Sequence, residues 1–436
     1  MGVREASAVY ADLSLVEADG VDAIRPGYKQ TEIGVIPEDW SISTVGKEFS
    51  IQLGKMLDAE KNHGVPKPFI GNRAVQWGQI DLSSIGSIKL TSADLQRYRL
   101  REGDLLVCEG GEVGRSAAWR APVDECYYQK ALHRLRPKRG YDVSVMLNVL
   151  FMHASSGLLQ NYVTQTSIAH LPKEKFELVP IPLPSKVEQE AIADALNDAD
   201  ALIESLQQLI AKKRQIKQGA MQALLTGQQR LSGFAKAWAS TRLGDVVSFY
   251  KGKGLPKSAL DPFGAQPCIH YGELFTRYGE TIHKTISRTN LTGDCFRSNA
   301  NDVVMPTSDV TPTGLARASC VDLDGVILGG DILVIRADSR LMSGTFLSYV
   351  IRHEQEQILQ LVTGTTVFHL YASDMRKFTF PMPTLDEQKA IVGVLDSVEA
   401  EITALETRLS KTREIKQGMM QALLTGAIRL PLAEVA

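Results

Sequence analysis

The chain has 436 residues, 44% apolar and 22% charged, with a net charge of −2: an ordinary globular composition, long enough for two or three domains that each bury a core. No run reaches the roughly 18–20 uninterrupted apolar residues of a membrane span, and no basic-then-apolar leader precedes the first structured segment, so the expectation is a cytoplasmic protein with no membrane partner. Five cysteines (Cys108, Cys126, Cys268, Cys295, Cys320), odd in number and without Cys-x-x-Cys spacing, are expected as free thiols with no metal site.

Residues 1–27 are small, acidic and poorly patterned, and read as an N-terminal arm. From Tyr28 the text firms up as YKQTEIGVIPEDW, ending at Trp40. The stretch that follows mixes short strand-like runs, such as Asp104–Cys108 and Leu132–Arg136, with turns and one amphipathic helix over Val143–Gln160. It closes on Val163-Thr164-x-Thr166 and His170-Leu171, then on Pro182-x-Pro184, which discourages earlier helix.

A long helix is predicted next. Ser185-x-x-Glu188 is a capping box, and Gly227 stands where a C-terminal glycine ends a helix. Between them Ile192, Leu196, Ala199, Ile203, Leu206 and Ile210 step by four and three, the seam of a left-handed coiled coil. About 38 residues at ~1.5 Å each make a rod of roughly 57 Å, longer than a small domain is wide, so its seam calls for a second helix. Lys212, Arg214 and Lys217 then form a basic stretch, either a solvated face or a docking surface for another chain or for phosphates.

The rest repeats this plan. Trp238, Gly244, Ser248 and Gly252-Lys253 stand 198 positions after Trp40, Gly46, Ser50 and Gly54-Lys55. Asp302–Met305 and Ile332–Arg336 answer the earlier strands, Gly344–Gln360 the amphipathic helix, and Val362-Thr363-x-Thr365 with His369-Leu370 the closing segment. Glu387–Leu430 matches Glu188–Leu231 at a constant shift of 199, with 23 of 44 pairs identical and no gap. Thr384-x-x-Glu387, Gly426, the seam Ile391, Leu395, Val398, Ile402, Leu405 and Leu409, and the bases Lys411, Arg413 and Lys416 all recur. Mutual packing of the two copies is the simplest way to bury both seams. The matched edges enclose interiors that differ, as expected of one scaffold carrying two different readers.

The YKQTEIGVIPEDW opening, the two Pro-x-Pro-x3-Glu-Gln-x-Ala-Ile helix starts and the two KQG-x-MQALLTG ends together resemble the specificity subunit of type I restriction-modification systems, over roughly residues 28–430. The resemblance implies an α+β fold: two pseudo-repeated mixed α/β target-recognition domains joined by two long helices forming an antiparallel coiled coil. On this reading residues 28–183 and 228–382 are the target-recognition domains, 184–227 and 383–430 the repeated helices, and 431–436 a C-terminal tail. It also implies a bipartite target in double-stranded DNA, and a helical spacer that docks two modification (methyltransferase) subunits. Motor-nuclease restriction subunits join in the restricting form of such complexes. The chain itself is expected to do no chemistry and to hold no cofactor, S-adenosylmethionine belonging to the methyltransferase partner.

The residues alone leave two other classes open: a self-contained DNA methyltransferase or nuclease, and a coiled-coil adaptor without nucleic-acid binding. Gly252-Lys-Gly-Leu-Pro-Lys-Ser258 lacks the spacing of a phosphate loop. Asp261-Pro262-Phe263 lacks the second proline of an amino-methyltransferase signature and reads as a turn. Glu109-Gly-Gly-Glu112-x-Gly114-Arg115 carries two carboxylates without the lysine and further acid a nuclease needs, and reads as a glycine-rich turn. His170 and His369 occupy equivalent places without acid or thiol partners and read as packing or hydrogen-bonding residues.

Net charge near zero argues against tight nucleic-acid binding by the chain alone. Residues 1–50 hold a net −5, leaving +3 for the remainder, and clusters at Arg134, Arg136, Lys138 and Arg139 and at Lys251, Lys253 and Lys257 permit phosphate contact. Base edges are read by Arg, Lys, Asn, Gln, Ser and Thr, and phosphates are held by bases and hydroxyls. Candidates in the first domain are Asn72, Arg73, Gln76, Arg115 and Thr166. In the second they are Lys251, Lys253, Lys257, His270, Tyr271, Arg277, Thr307, Ser308, Thr311, Arg317, Thr365 and Thr366.

Overall fold

The computed structural model describes residues 24–431 apart from residue 59 and residues 166–168; the N-terminal arm, nearly all of the C-terminal tail and Thr166 therefore lie outside the described residues. The chain divides into two compact units, one made of residues 1–205 with 409–436, the other of residues 206–408. Each thus combines one globular domain, the first half of the helix that follows it, and the last half of the other repeat's helix.

In the first unit Leu105–Cys108 is the second strand of a four-stranded antiparallel sheet, flanked by Ser116–Ala118 and Leu132–Pro137, with Phe49–Leu53 outermost. Strand side chains alternate between faces. Leu105 and Val107 enter one core with Trp40, Phe49 and the helix Val143–Ser155, while Leu106 and Cys108 enter another with Ile70, Trp119 and Tyr128. The second unit repeats this in a five-stranded sheet: Val303 and Met305 face one core, Val304 the other. A strand buried on both faces reads as an unbroken apolar run, as LLVC and VVM do. Both runs begin with an acid, and both acids are buried. Arg136 grips Asp104 through two bonds of 2.7 Å, and Arg336 grips Asp302 through bonds of 2.7 and 2.6 Å.

Gly54 and Gly252 recur because the backbone passes too close for a side chain: a Cβ would stand 2.3 Å from the Gln129 carbonyl oxygen in one unit and 1.9 Å from that of Gly329 in the other. The single helices expected over Val143–Gln160 and Gly344–Gln360 are each two pieces. The first stops at Ser155, where Gly157 takes φ +79°, and a 3₁₀ turn follows over Leu158–Tyr162. The second breaks at Glu354 between Gly344–His353 and Gln355–Leu361, with no glycine or proline to announce it.

The long helices span Lys186–Leu225 and Leu385–Leu424, 40 residues each. Of the twelve seam positions, Ile192, Leu196, Leu206, Ile210, Ile391, Leu395, Ile402 and Leu409 are buried, and Ala199, Ile203, Val398 and Leu405 are half-buried. Within each unit the two helix segments run antiparallel. In the first, residues Glu188 and Asp200 pair with Arg429 and Lys416. In the second, Lys217 and Arg230 pair with Glu399 and Glu387. Gly227 and Gly426 take φ +72° and +68°, as the C-terminal turn requires. All five cysteines are free thiols, and among the described residues no helix is long and apolar enough to cross a membrane.

One buried group makes the first unit sensitive to pH. The His133 ring donates from Nε2 to the Leu171 carbonyl at 2.8 Å, and burial pushes its pKa down to about 4 from 6.5. Above pH 6.5 it is neutral folded or unfolded; between 6.5 and 4 only the unfolded chain takes the proton, so stability falls as pH drops through that window. His153, also buried, shifts in the same direction. Thermal melts at pH 7 and pH 5 are expected to show His133→Gln losing less stability on acidification than the parent chain, by about 2 kcal/mol.

Candidate nucleic-acid interface

Each globular domain is locked to its helices by a tryptophan, a glutamate and an arginine. In the first unit the Trp40 indole donates to Glu188 Oε2 at 3.2 Å, and Glu188 also pairs with Arg429, which lies over the Trp40 ring. Glu188 closes the expected capping box: its N–H donates to the Ser185 hydroxyl oxygen at 3.3 Å and its carboxylate accepts from the Ser185 N–H at 3.4 Å. In the second unit the Trp238 indole donates to Glu387 at 2.9 Å, and Arg230 grips the same carboxylate through bonds of 2.5 and 2.7 Å while covering the Trp238 ring. Burial alone would raise the Glu387 pKa; the bonds from Arg230 and Trp238 outweigh it and hold the carboxyl below its ordinary value.

The basic helix stretches divide: Arg214, Lys217 and Lys416 are paired with acids, while Lys212, Lys411 and Arg413 stay exposed. Lys217 is largely buried, donating to Glu280 at 3.1 Å and Glu399 at 2.9 Å; burial pushes its pKa down, and those two acids more than restore it. Lys416 pairs with Asp200 at 2.6 Å and Arg214 with Glu406 at 2.6 Å. The Arg134–Arg139 cluster is largely engaged likewise. Arg136 is spent on Asp104, Arg134 is buried with a 2.7 Å bond to Gln52, and Lys138 donates to the Gly46 carbonyl.

Four of the first-domain candidates share one corner. Asn72 donates to the Gly110 carbonyl at 3.1 Å, and Arg115 turns inward to the Asn72 carbonyl at 3.1 Å and to Glu112 at 3.1 Å. Arg115 is therefore a brace, not a free reader. Arg73 and Gln76 are exposed beside it, with Gln76 donating to the Arg73 carbonyl at 2.8 Å. The corner adjoins a two-stranded ribbon, Thr164–Gln165 against Ala169–His170, whose His170 also bridges Gly110.

The second domain builds the matching ribbon. Ser308–Asp309 pairs with Phe368–His369, and His369 exchanges backbone bonds of 3.0 and 2.7 Å with Thr363. Lys251, Thr307 and Ser308 line a cleft of about 530 Å³ with Tyr250, His369 and Tyr371. Thr311 and Arg317 line a separate cleft of about 770 Å³ with Asp309, Glu280 and Arg352. Thr365 and Thr366 are exposed beyond the ribbon. The His270 and Tyr271 rings meet at a tilt of 46° with centroids 4.7 Å apart, and Arg277 and Lys257 are exposed elsewhere on the domain. Lys253 pairs with Asp294. A list chosen for polar side chains could not include the exposed Val310 and Val367, and it passed over the exposed Tyr250 and Tyr371.

Glu109 is half-buried, and Glu112 accepts from the Trp77 indole at 2.6 Å as well as from Arg115. Among the described residues no group of three His, Cys, Asp or Glu could hold a metal ion.

Stability of the tryptophan lock is directly measurable. Trp40→Phe keeps an aromatic six-membered ring but removes the N–H and the five-membered ring, leaving a buried carboxylate short of one donor at a cost of about 1–2 kcal/mol, to which the void in the core adds. Hydrogen exchange is expected to quicken in residues 186–205 and 409–424 and to stay unchanged in residues 206–408.

Comparison with known proteins agrees with this architecture. Residues 37–214 and again 235–417 match the family described as type I restriction modification DNA specificity domain. The chain is 23% identical over 435 residues to the type I restriction enzyme MjaVIII specificity subunit of Methanocaldococcus jannaschii, covering 91% of this chain and 94% of that one. It is 22% identical over 428 residues to the StySPI specificity subunit of Salmonella potsdam, covering 91% and 90%. Its fold is similar to the S subunit of the type I restriction-modification system of M. genitalium, with a TM-score of 0.58 at 14% identity over 88% of this chain and 96% of that one. A chain from a solved type I R-M complex aligns with a TM-score of 0.55 at 16% identity, over 90% and 99%. Two recognition domains on one duplicated helical scaffold, matched twice by one family, make this chain a member of the type I restriction-modification specificity subunits, the DNA target-recognition component of those systems.

Proposed function

We propose that this chain reads a split target in double-stranded DNA, one half-site per domain, and leaves the chemistry to other subunits. The observation that carries this is the duplication: the scaffold residues, from the Asp–Arg pairs to the tryptophan locks, recur in both units, while the surfaces they present differ. One scaffold bearing two surfaces suits a target with two unlike halves.

The repeated helix ends are the natural dock for two copies of one partner, because a duplicated surface offers the same contact twice. We assign that dock to two methyltransferase subunits, which would hold S-adenosylmethionine and supply much of the phosphate contact that a chain of net charge −2 lacks. Motor-nuclease subunits would join the same assembly. The length of the two 40-residue helices sets the unread gap between half-sites.

Two measurements test this. Mapping methylated bases in cells with and without this chain is expected to show one two-part motif that disappears with it, while the purified chain alone neither methylates nor cleaves DNA. Adding one heptad to both helices is expected to lengthen the gap and leave both half-sites as they were; an unchanged gap would remove the helices from any role in spacing.

A further inference from the structure

The ribbon of the second domain ends in an apolar tip exposed to solvent. Val310 is 71% exposed and follows directly on the paired Ser308–Asp309, and Val367 precedes the partner strand Phe368–His369 and is also exposed. Asp309 fixes the tip: its carboxylate accepts from the Val310 N–H at 2.7 Å and from the Thr311 hydroxyl at 2.7 Å, and it packs so closely over Gly314 that a Cβ there would stand 1.8 Å away. Thr365 and Thr366 precede Val367 in the chain and are exposed with it.

The two domains share part of this ribbon and differ in the rest. Val362-Thr363-x-Thr365-Thr366-Val367-x-His369-Leu370 answers Val163-Thr164-x-Thr166-Ser167-Ile168-x-His170-Leu171. Hydroxyls that recur in two readers of unlike half-sites suit what those half-sites share, the sugar-phosphate backbone. Val310 is not common: 198 positions earlier stands Glu112, which is engaged by Trp77 and Arg115.

Resting on the DNA-recognition reading above, we propose that Val310 is a specificity-determining residue of the second domain, reading the 5-methyl group of a thymine in the major groove, while Thr365 and Thr366 hold the adjoining backbone. A two-stranded ribbon fits the major groove, and an apolar side chain at a base edge there selects the thymine methyl. Both carboxylate oxygens of Asp309 are bonded within the turn, so Val310 and not Asp309 supplies the free surface of the tip.

The test uses the full chain assembled with its methyltransferase subunits. Val310→Ala is expected to relax the second half-site at one A·T pair, read by mapping methylated bases, with the first half-site unchanged. Replacing thymine by uracil one position at a time in a target duplex is expected to weaken binding by the parent complex about fivefold at a single position, and to leave V310A indifferent there. Thr365→Val with Thr366→Val is expected to weaken target and non-target duplexes alike. A second half-site without an A·T pair, an unaltered second half-site in V310A, or V310A failing to bind the methyltransferase subunit overturns the assignment and leaves the DNA-recognition reading standing. A parent complex that reads no sequence at all overturns both.

Discussion

A single carboxylate at the start of each long helix is the point on which each unit closes. Glu188 and Glu387 each accept from the tryptophan that opens a globular domain and from an arginine just past the end of the other repeat's helix. In the first unit three segments far apart in the chain thus converge on one buried acid; in the second, Arg230 and Trp238 reach Glu387 from one short segment. A buried charge that loses a partner is costly, so each acid and its partners arrive together or not at all. The same convergence explains two features of the surroundings. Gly426 and Gly227 lie where a Cβ would press on Trp40 or Trp238, and Met420, Leu423 and Leu424 share a core with Trp40 just as Leu224 and Leu225 share one with the second domain.

Around that point both units spend charge inward. The Asp104–Arg136 and Asp302–Arg336 pairs anchor central strands, and the Lys217–Glu399 and Lys416–Asp200 pairs sit beside the helix seams. Charges used for packing are not available for phosphates. Arg136, Arg336, Lys217 and Lys416, each paired inward, are therefore not among the cations this subunit can offer to phosphates.

Much of this was legible in the sequence because duplication and periodicity are strong signals. The 199-residue shift located both helices, the four-three spacing located their buried faces, and the Pro-x-Pro and glycine marks located their ends to within two residues. The partners of charges were harder to see. Arg136 and Lys217 read as members of basic clusters because their acids, Asp104 and Glu399, are remote in sequence and near only after folding. A signal did exist: each acid and each base recurs in the second copy at nearly the same shift, so the pairs could have been sought as pairs. The break at Glu354 had no such mark, since nothing in His353-Glu354-Gln355 forbids a helix and only tertiary packing interrupts it. The candidate reading surface was half legible. Hydroxyls and bases could be nominated by chemistry, but an exposed valine looks like any core residue until its surroundings are known.

The division of the chain has a bearing on how it is made. Residues 206–408 form one uninterrupted unit that can finish folding as soon as the ribosome has passed it. The other unit is begun first and completed last: its globular domain and residues 186–205 emerge early, yet the segment that covers Ile192 and Leu196 starts at residue 409. For the whole of that interval an apolar helix face stands open on a nascent chain. The order of synthesis therefore runs against the order of completion, and the earlier domain is the one that must wait for its last segment.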